Sequence, residues 1–249
     1  MLYDTIGTNY DTRRRSEPRI AALVERALDG ARRVVNVGAG SGSYEPEGRT
    51  VAAVEPSRTM IAQRAAERAP AVQAVAERLP FADGTFDAAL ATLTLHHWEN
   101  WRAGLREMRR VADDRVVLLT WVGYGGASGH GDSGRFWLLD YFPEIEAIDA
   151  RIFPTERELS EVLGPIESTP VPIPWDCVDG FLCAYWRRPA AYLDADVRLA
   201  ISSFSKIEDA SDGLARLEED LRTGAFERRY AKQLAREWCD FGYRVVATR

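Results

Sequence analysis

The sequence has few cysteines and no long apolar segment, and these two absences limit where the protein can work. Its three cysteines, Cys177, Cys183 and Cys239, form neither a disulfide framework nor a C-x-x-C metal pair, which favours a reducing, cytoplasmic location. No apolar run reaches the roughly 20 residues that span a bilayer. The polar opening MLYDTIGTNYDTRRR differs from a signal peptide. We therefore expect a cytoplasmic protein without a membrane partner.

A shortage of positive charge excludes a second group of partners. Lys and Arg number 32 against 38 Asp and Glu, so the formal net charge is −6, and only Lys206 and Lys232 are lysines. An acidic surface does not attract phosphates over long range, so no nucleic-acid partner is expected. With 46% hydrophobic and 28% charged residues, the composition is that of an ordinary globular protein. The length allows one large domain or a core with a cap.

Apolar patterning in the first half of the chain predicts alternating strands and helices. Ser16 is expected to cap a first helix, after which short apolar runs predict strands and amphipathic stretches predict helices. The predicted strands lie at 33–37, 51–54, 72–75, 86–93 and 116–121, and the helices between them at 57–69 and 101–111. This alternation indicates βαβ units and a parallel sheet covered by helices on both faces.

The second half of the chain has a different pattern. The predicted elements are a helix at 155–163, a strand at 166–173 interrupted by prolines, almost continuous helix at 179–238 and a last strand at 243–247. A helical insertion between the last two strands lies at a sheet edge, where a cap over the strand ends is expected. The glycine-rich loop from Gly123 to Gly134, which contains His130, is either a lid or a simple connection.

The first predicted strand runs directly into a glycine-rich turn. The segment VVNVGAGSGS places Gly38, Gly40 and Gly42 at alternate positions, where missing Cβ atoms let backbone amides approach a ligand at the carboxyl end of the sheet. The dinucleotide fingerprint G-x-G-x-x-G is not met, because Ser43 or Glu45 stands at its last position, and the Gly-Lys-Ser/Thr of a P-loop is absent. A nicotinamide or flavin site is disfavoured, and a P-loop is excluded.

An acidic residue ends the second predicted strand. Glu55 follows the apolar run VAAV, and an acid at this position can accept hydrogen bonds from both ribose hydroxyls of an adenosine ligand. The alternative is a tight turn with a solvated glutamate. In the context of the strand and the glycine turn, Glu55 predicts a nucleoside site.

An ordered set of segments resembles the class I S-adenosylmethionine-dependent methyltransferases, and in particular the group similar to the ubiquinone and menaquinone biosynthesis methyltransferases. The segments are VVNVGAGSG, VAAVEPS, AERLPFADGTFDAAL, and LHHW followed by LREMRRV, within residues 30–122. The resemblance implies S-adenosylmethionine as cofactor and S-adenosylhomocysteine as product. It also implies in-line methyl transfer to a small aromatic or apolar metabolite.

The resemblance further implies an α/β fold with a Rossmann-like, seven-stranded, mostly parallel sheet, helices on both faces and a helical cap inserted before the last strand. The expected divisions are an N-terminal helical segment over the active site at 1–29, a cofactor-binding core at 30–175, the cap at 176–238 and a final core strand at 239–249.

The resemblance also implies which residues hold each part of the cofactor. Glu55 would hold the ribose, and Arg14 would pair with the carboxylate of the cofactor. The other implied contacts are Gly38, Ala39, Gly40 and Gly42 for the methionine part, Pro56, Met60, Ala76 and Glu77 for the adenine, and Thr92 and Leu93 beside the sulfonium.

Three features depart from the pattern of the family. Asn36 replaces the usual acid before the first glycine, and Val75 stands where many relatives carry Asp near the adenine. The stretch from Gly42 to Val51 is short and contains Pro46 and Gly48. The first crossover helix must therefore be very short or replaced by a turn, so the dipole of a helix would contribute little to the site.

Two adjacent histidines are the candidate catalytic residues. His96 and His97 follow the fourth predicted strand, at the sheet edge where the methyl group would face. A histidine suits proton transfer near neutral pH, so either residue, and His97 in particular, could act as a base or orient the acceptor. The alternative is a structural histidine bonded to backbone.

Two groups of aromatic residues are candidates for the acceptor pocket. Tyr3 and Tyr10 form the first group, and the second includes Trp175, Phe181 and Tyr185. Phe181 and Tyr185 are four positions apart and would share a helix face. Core packing of the cap is the alternative for most of them. A pocket of such side chains suits a flat, mostly apolar small molecule.

Other functions are compatible with parts of the sequence. One is a protein that binds S-adenosylmethionine without methylating, as a sensor or in a cyclase-like pocket, and another is a nicotinamide-dependent oxidoreductase. A tRNA or protein methyltransferase is disfavoured by the acidic surface. Asp176 and Asp179 lack the further ligands of a metal site, so no metal is expected. We expect a small-molecule substrate and a monomer or homodimer.

Overall fold

The computed structural model describes residues 14–123 and 134–249. Within these ranges, none of the helices combines the length and the apolar character that crossing a membrane requires. The α-helices are α1 Pro18–Ala27, α2 Arg58–Ala62, α3 Trp101–Val111, α4 Glu144–Ile152, α5 Glu156–Leu163, α6 Ala195–Leu199, α7 Ser211–Thr223 and α8 Ala225–Leu234. The strands are β1 Val34–Val37, β2 Thr50–Val54, β3 Ala71–Val72, β4 Phe86–Thr92, β5 Ala112–Trp121, β6 Ile166–Pro170, β7 Ile173–Pro174, β8 Trp238–Cys239 and β9 Tyr243–Thr248.

Seven of these strands form one sheet in the order β3-β2-β1-β4-β5-β9-β6. Strands β1 to β5 pair in parallel, whereas β9 runs antiparallel to β5 and β6. The predicted seven-stranded, mostly parallel α/β sheet is therefore confirmed. Because the chain proceeds outward from β1 to β3 and then returns to β4, a crevice forms at the carboxyl ends of β1 and β4, where ligands bind in such sheets.

Alternate residues of the central strands contribute to two apolar layers. Val34 packs in the layer that contains Ile20 of α1, whereas Val35 packs in the layer that contains Leu105 of α3 and Leu159 of α5. Successive side chains of a strand point to opposite faces, so each central strand contributes to both layers. Both faces are covered by helices, which explains why β1 reads as a continuous apolar run.

Several predicted element ends were wrong, for local reasons. Glu17 caps α1, because its carboxylate accepts a hydrogen bond from the Arg19 backbone N–H at 3.3 Å. The hydroxyl of Ser16 instead accepts from the Tyr44 backbone N–H at 2.7 Å. Helix α2 is much shorter than the predicted 57–69, because the chain after it turns to place the Ala69 N–H 3.2 Å from the Glu45 carboxylate. Between β1 and β2 the chain forms turns, as the short spacing predicts.

Apart from α5, which packs in the other layer, the helical region between β5 and β9 packs on the face that carries α1, and it is less regular than predicted. Within 179–238, three short 3-10 segments and the short α6 replace the first part of the expected continuous helix, and only α7 and α8 are long. Trp137, which lies outside the predicted insertion, is at the centre of this layer. Its indole N–H donates to the Trp186 carbonyl at 2.6 Å, and its ring meets Phe226 edge-on at 4.7 Å.

Candidate cofactor and acceptor site

A cavity of about 1010 Å³ lies at the carboxyl ends of β1, β2 and β4. Gly42 is the one predicted cofactor residue that does not line it, because this glycine faces away, with its ideal Cβ position 3.3 Å from Arg68 Cδ. The predicted cofactor residues that do line the cavity are Arg14, Gly38, Ala39, Gly40, Glu55, Pro56, Met60, Ala76, Glu77, Thr92 and Leu93. The fold therefore brings residues from five separate segments to one place.

The glycine turn after β1 is held close to the neighbouring strands. The N–H groups of Gly38 and Ala39 both donate to the Val54 carbonyl, at 2.8 and 3.0 Å. Gly38 has a left-handed φ of +67°, and a Cβ on it would lie 2.3 Å from Thr94 Oγ1. Only glycine fits this backbone at this distance from β4. The missing side chain leaves the backbone open to the cavity.

Glu55 is buried at the tip of β2, with 6% of its surface exposed. One carboxylate oxygen accepts from the Gly40 N–H at 2.9 Å, and the other accepts from the Ser57 N–H at 2.9 Å. A carboxylate oxygen can accept more than one hydrogen bond, so a carboxylate held in this way can also accept from ligand hydroxyls. The same side chain therefore fixes the glycine turn and lines the cavity.

One end of the cavity is an apolar slot between α2 and α3. Met60 and Val75 contribute to its walls, together with Trp98 and Ala103, which sequence reasoning missed. Glu77 accepts a hydrogen bond from the Asn100 N–H at 2.9 Å, which ties the loop before β4 to the start of α3. Trp98 ends the LHHW segment of the family resemblance, and Ala103 lies in the helix predicted at 101–111, so the sequence marked both positions without giving them a role.

Leu93 adopts a strained backbone beside the cavity. Its φ is +51°, a left-handed conformation that costs a residue with a Cβ about 1–2 kcal/mol. The Leu93 N–H donates to the Leu119 carbonyl at 2.7 Å, which holds the conformation from the neighbouring strand. Backbone strain of this kind is concentrated at functional sites, and here it turns the chain from β4 towards the histidines.

His96 and His97 lie side by side in a short 3-10 segment, with ring centroids 3.8 Å apart. His96 Nε2 is 3.2 Å from Ser202 Oγ, and its Nδ1 is buried without a hydrogen-bond partner among the described residues. Burial, and then the positive charges of Lys206 and Arg14, lower the pKa of His97 to about 3. Burial foremost also lowers the pKa of His96 well below 6.5. Both rings are therefore neutral at physiological pH.

Arg14 joins the N-terminal segment to the cap through a buried carboxylate. Its Nε donates to Asp179 Oδ1 at 2.7 Å, with 9% and 0% of the two side chains exposed. The Tyr44 hydroxyl donates to the other oxygen of Asp179 at 2.8 Å. Burial first, and then the Asp179 charge, raise the pKa of Tyr44 well above 10. Asp179 is thus part of an ion pair. Within the described ranges, no group of three or more His, Cys, Asp or Glu side chains is placed to bind a metal ion.

A second cavity of about 40 Å³ lies beside the first and shares Arg14, Leu93, His96 and His97 with it. Its other walls include polar residues such as Asp149 and Ser202, and four aromatic side chains: Trp121, Phe153, Phe181 and Tyr243. Of the predicted acceptor residues, only Phe181 is therefore placed here.

Of the other predicted acceptor residues, the two that the structure describes, Trp175 and Tyr185, line neither cavity. Trp175 is 45% exposed on the surface, and Tyr185 packs against Tyr192 at a ring distance of 5.8 Å. Tyr3, Tyr10 and His130 lie outside the described residues. Lys206, which sequence reasoning missed, lines the larger cavity. No local pattern marked Lys206, because its segment reaches the site only through folding of the cap.

The fold and the site define an α/β protein that binds a nucleoside at the carboxyl edge of its sheet, and comparisons with known proteins agree. Residues 35–119 match the family described as "Methyltransferase domain". A solved structure described as a methyltransferase from an antibiotic biosynthesis pathway of Anabaena variabilis is 30% identical, with a TM-score of 0.83, over 95% of this chain and 98% of that one.

Two demethylmenaquinone methyltransferases are also similar. The protein of Mycolicibacterium gilvum is 39% identical over 88 residues, which are 34% of this chain and 39% of that protein. The protein of Corynebacterium urealyticum is 33% identical over 121 residues, which are 44% of this chain and 53% of that protein. The chain therefore spans about half or less of the length of these curated relatives. It belongs to the class I S-adenosylmethionine-dependent methyltransferases, whose cofactor is S-adenosylmethionine.

Proposed function

We propose that this protein methylates a small, flat, mostly apolar acceptor. The observation that supports this most strongly is the continuity of two chemically different cavities. The larger contains Glu55 and the glycine turn, and the smaller has aromatic walls, and the two share Leu93 and His97. The smaller cavity, at about 40 Å³, is too small for an aromatic molecule. The acceptor would therefore lie in the larger cavity, beside the cofactor and next to these aromatic side chains.

The residues of the larger cavity fit the cofactor of the family. Glu55 would accept the ribose hydroxyls, Gly38 and Gly40 would admit the methionine part, and Arg14 would pair with its carboxylate. S-adenosylmethionine supplies an already activated methyl group on its sulfonium. The apolar slot beside Met60 would take the adenine.

The contribution of the protein to the reaction is orientation and exclusion of water. Holding two reactants in the correct geometry can lower a barrier by about 7–11 kcal/mol. The aromatic side chains of the smaller cavity would restrict the orientation of an acceptor that lies beside them. We propose that the segments 1–29 and 176–238 cover the core at 30–175. Because His97 has a pKa of about 3, it is a weak base, and we propose that it orients the acceptor by accepting a hydrogen bond.

The cysteines support a cytoplasmic location, which is part of the proposal. Cys177, Cys183 and Cys239 are all buried and form no disulfide with one another. Burial raises the pKa of Cys177 to about 12, so its thiol stays protonated and unreactive. Three buried thiols that form no disulfide with one another are typical of proteins in a reducing compartment.

Calorimetry with S-adenosylmethionine and NADH tests the proposed cofactor. The protein should bind S-adenosylmethionine and should not bind NADH, because the glycine turn lacks the dinucleotide fingerprint. Methyl transfer from labelled S-adenosylmethionine to a panel of hydroxylated aromatic compounds and quinols then tests the reaction. Binding of NADH alone would contradict the proposal. Binding of S-adenosylmethionine without transfer to any acceptor would instead support a non-methylating protein.

Replacing His97 with alanine should lower kcat about 10- to 100-fold, because a misplaced acceptor can cost a factor of this size. The affinity for S-adenosylhomocysteine should change less than about twofold, since His97 lies at the acceptor end of the cavity. Steady-state kinetics with an acceptor from the panel and calorimetry provide the two measurements.

The variant His97→Gln is the matched control, because its amide can hydrogen bond but does not titrate. We expect it to recover part of kcat. The pKa of His97 is about 3, so its ionisation should not change the kcat of the wild type near pH 6.5. A titration near pH 6.5 that disappears in His97→Gln would show that His97 is a base with an ordinary pKa.

A further inference from the structure

A buried ion pair lies behind the glycine turn. Arg64, which follows α2, donates from Nη2 to Glu45 Oε2 at 2.8 Å, and the two side chains are only 5% and 2% exposed. Removing two charges from water is costly, and buried pairs often contribute little net stability. Within the described ranges, Arg64 Nε and the Oδ1 of the neighbouring Asn36 are also buried without hydrogen-bond partners. The cluster is therefore poorly arranged for stability alone.

The ion pair extends to the glycine turn itself. Arg64 Nη1 donates to the Gly40 carbonyl at 3.2 Å, while its Nη2 also donates to the Ala69 carbonyl at 3.0 Å. From the other side, Glu55 accepts from the Gly40 N–H at 2.9 Å. Gly40 is thus held at its N–H by one buried charged side chain and at its carbonyl by another.

Glu45 is fixed by partners from separate parts of the chain. Asn36 of β1 donates from Nδ2 to Glu45 Oε2 at 3.1 Å, and the Ala69 N–H donates to Oε1 at 3.2 Å. Arg68 Nη1 donates to the backbone carbonyl of Glu45 at 3.0 Å. These bonds leave the Glu45 carboxylate little freedom, so the guanidinium that it holds is also fixed.

The local backbone gives a reason for this arrangement. The chain between β1 and β2 forms turns, so no helical ladder of hydrogen bonds follows the glycines. The φ of Gly40 is +52°. Glycine adopts this conformation readily, but it adopts several other backbone conformations as readily. Without a helix behind it, the turn needs side chains to select one conformation.

We propose that Arg64, held by Glu45 and Asn36, is a positioning residue that orients the Gly40 peptide for binding of the cofactor. The proposal rests on the proposed function, since it assumes that the turn binds S-adenosylmethionine. Arg64 does not line the cavity; it acts through the Gly40 carbonyl. The ion pair then serves ligand affinity more than stability of the fold.

The test separates the two roles by replacing both charges. In the double variant Arg64→Met/Glu45→Met, no charge is left unpaired, although Asn36 Nδ2 and the Ala69 N–H lose their partner on Glu45. The melting temperature should therefore fall less than in Arg64→Met alone, which leaves the Glu45 carboxylate buried without its ion pair. The dissociation constant for S-adenosylhomocysteine, measured by calorimetry, should nevertheless rise roughly 10- to 100-fold. Amide hydrogen exchange in 38–44 should become faster, and KM for S-adenosylmethionine should rise while kcat at saturation changes only slightly.

Two further variants keep the proposal testable whatever the stability of the double variant. Arg64→Lys retains the charge beside Glu45, but its single ammonium cannot reproduce the fork that reaches Gly40, so it should fold and still bind more weakly. Arg244→Met is the control, since Arg244 pairs with Asp240 at 2.7 Å and is 7% exposed but does not line the cavity. Its affinity for S-adenosylhomocysteine should be unchanged.

The outcomes distinguish this inference from the proposed function. If the wild type does not bind S-adenosylhomocysteine, the proposed function fails. If the wild type binds it, and folded Arg64→Lys and the double variant bind it equally well, only the positioning role of Arg64 is overturned. An equal loss of affinity in Arg244→Met would also overturn it, because the effect would then reflect general destabilisation.

Discussion

Replacing Gly38 with alanine is expected to destabilise the fold by about 2–5 kcal/mol. The left-handed backbone costs about 1–2 kcal/mol for a residue with a Cβ, and overpacking adds about 1–3 kcal/mol. The new methyl group would lie 2.3 Å from Thr94 Oγ1, and Thr94 is itself buried, so it cannot move into solvent. Urea unfolding followed by circular dichroism measures the change.

Gly48 provides a matched control in the same turn region. Its φ of +68° is nearly that of Gly38, at +67°, but its ideal Cβ position has no atom within 4 Å. Gly48→Ala should therefore cost only the backbone part, about 1–2 kcal/mol, and should leave affinity for S-adenosylhomocysteine unchanged. If both variants lose the same stability, the close approach of Gly38 to Thr94 is not what requires glycine.

Replacing Glu55 with alanine should weaken binding of S-adenosylmethionine by about 1.5–3 kcal/mol, or roughly 10- to 150-fold. A loss of about 1.5–3 kcal/mol is what removal of a hydrogen bond to a charged group typically costs. The variant removes the proposed acceptor of the ribose hydroxyls, and it also leaves the N–H groups of Gly40 and Ser57 without their partners at 2.9 Å. Calorimetry with S-adenosylmethionine and with S-adenosylhomocysteine measures the loss.

Two controls separate the charge of Glu55 from its position. Glu55→Gln keeps one oxygen that can accept a hydrogen bond, so we expect an intermediate loss of affinity. Glu67→Ala removes an exposed carboxylate and should have no effect on binding. Unchanged affinity in Glu55→Ala would show that this carboxylate does not contact the cofactor, and the placement of the ribose would then have to be revised.

The parts of the fold and site that the sequence predicts are those with local signals. Buried strands such as β1 read as apolar runs, because both faces of a parallel sheet are covered. Gly38 and Glu55 could be identified because ligands bind at the carboxyl ends of strands, and these residues directly follow two of them. The first crossover helix was predicted to be very short or replaced by a turn, because the connection is short and contains Pro46 and Gly48, and the structure has turns there.

The helical part of the chain was predicted less well. Helix α2 ends early because the Ala69 N–H bonds to Glu45, a tertiary contact that overrides the helical pattern of 57–69. Trp137 is at the centre of the cap through its bond to Trp186, although no periodicity surrounds it. Aromatic residues at helical spacing do not reveal whether they face a ligand or the core, so Tyr185 was predicted at the acceptor pocket and instead packs against Tyr192.

By itself, the sequence determined the class of the sheet, the glycine turn, the acid at the tip of β2 and the family of the protein. The tertiary structure alone decided which charges meet, as in Arg14 with Asp179 and Arg64 with Glu45, and that His97 is neutral in its enclosed position. The physical reason is the separation along the chain between the residues that determine each feature. Strand patterns and strand-end residues are encoded by neighbours in the chain, whereas ion pairs, burial and pKa depend on elements that only packing brings together.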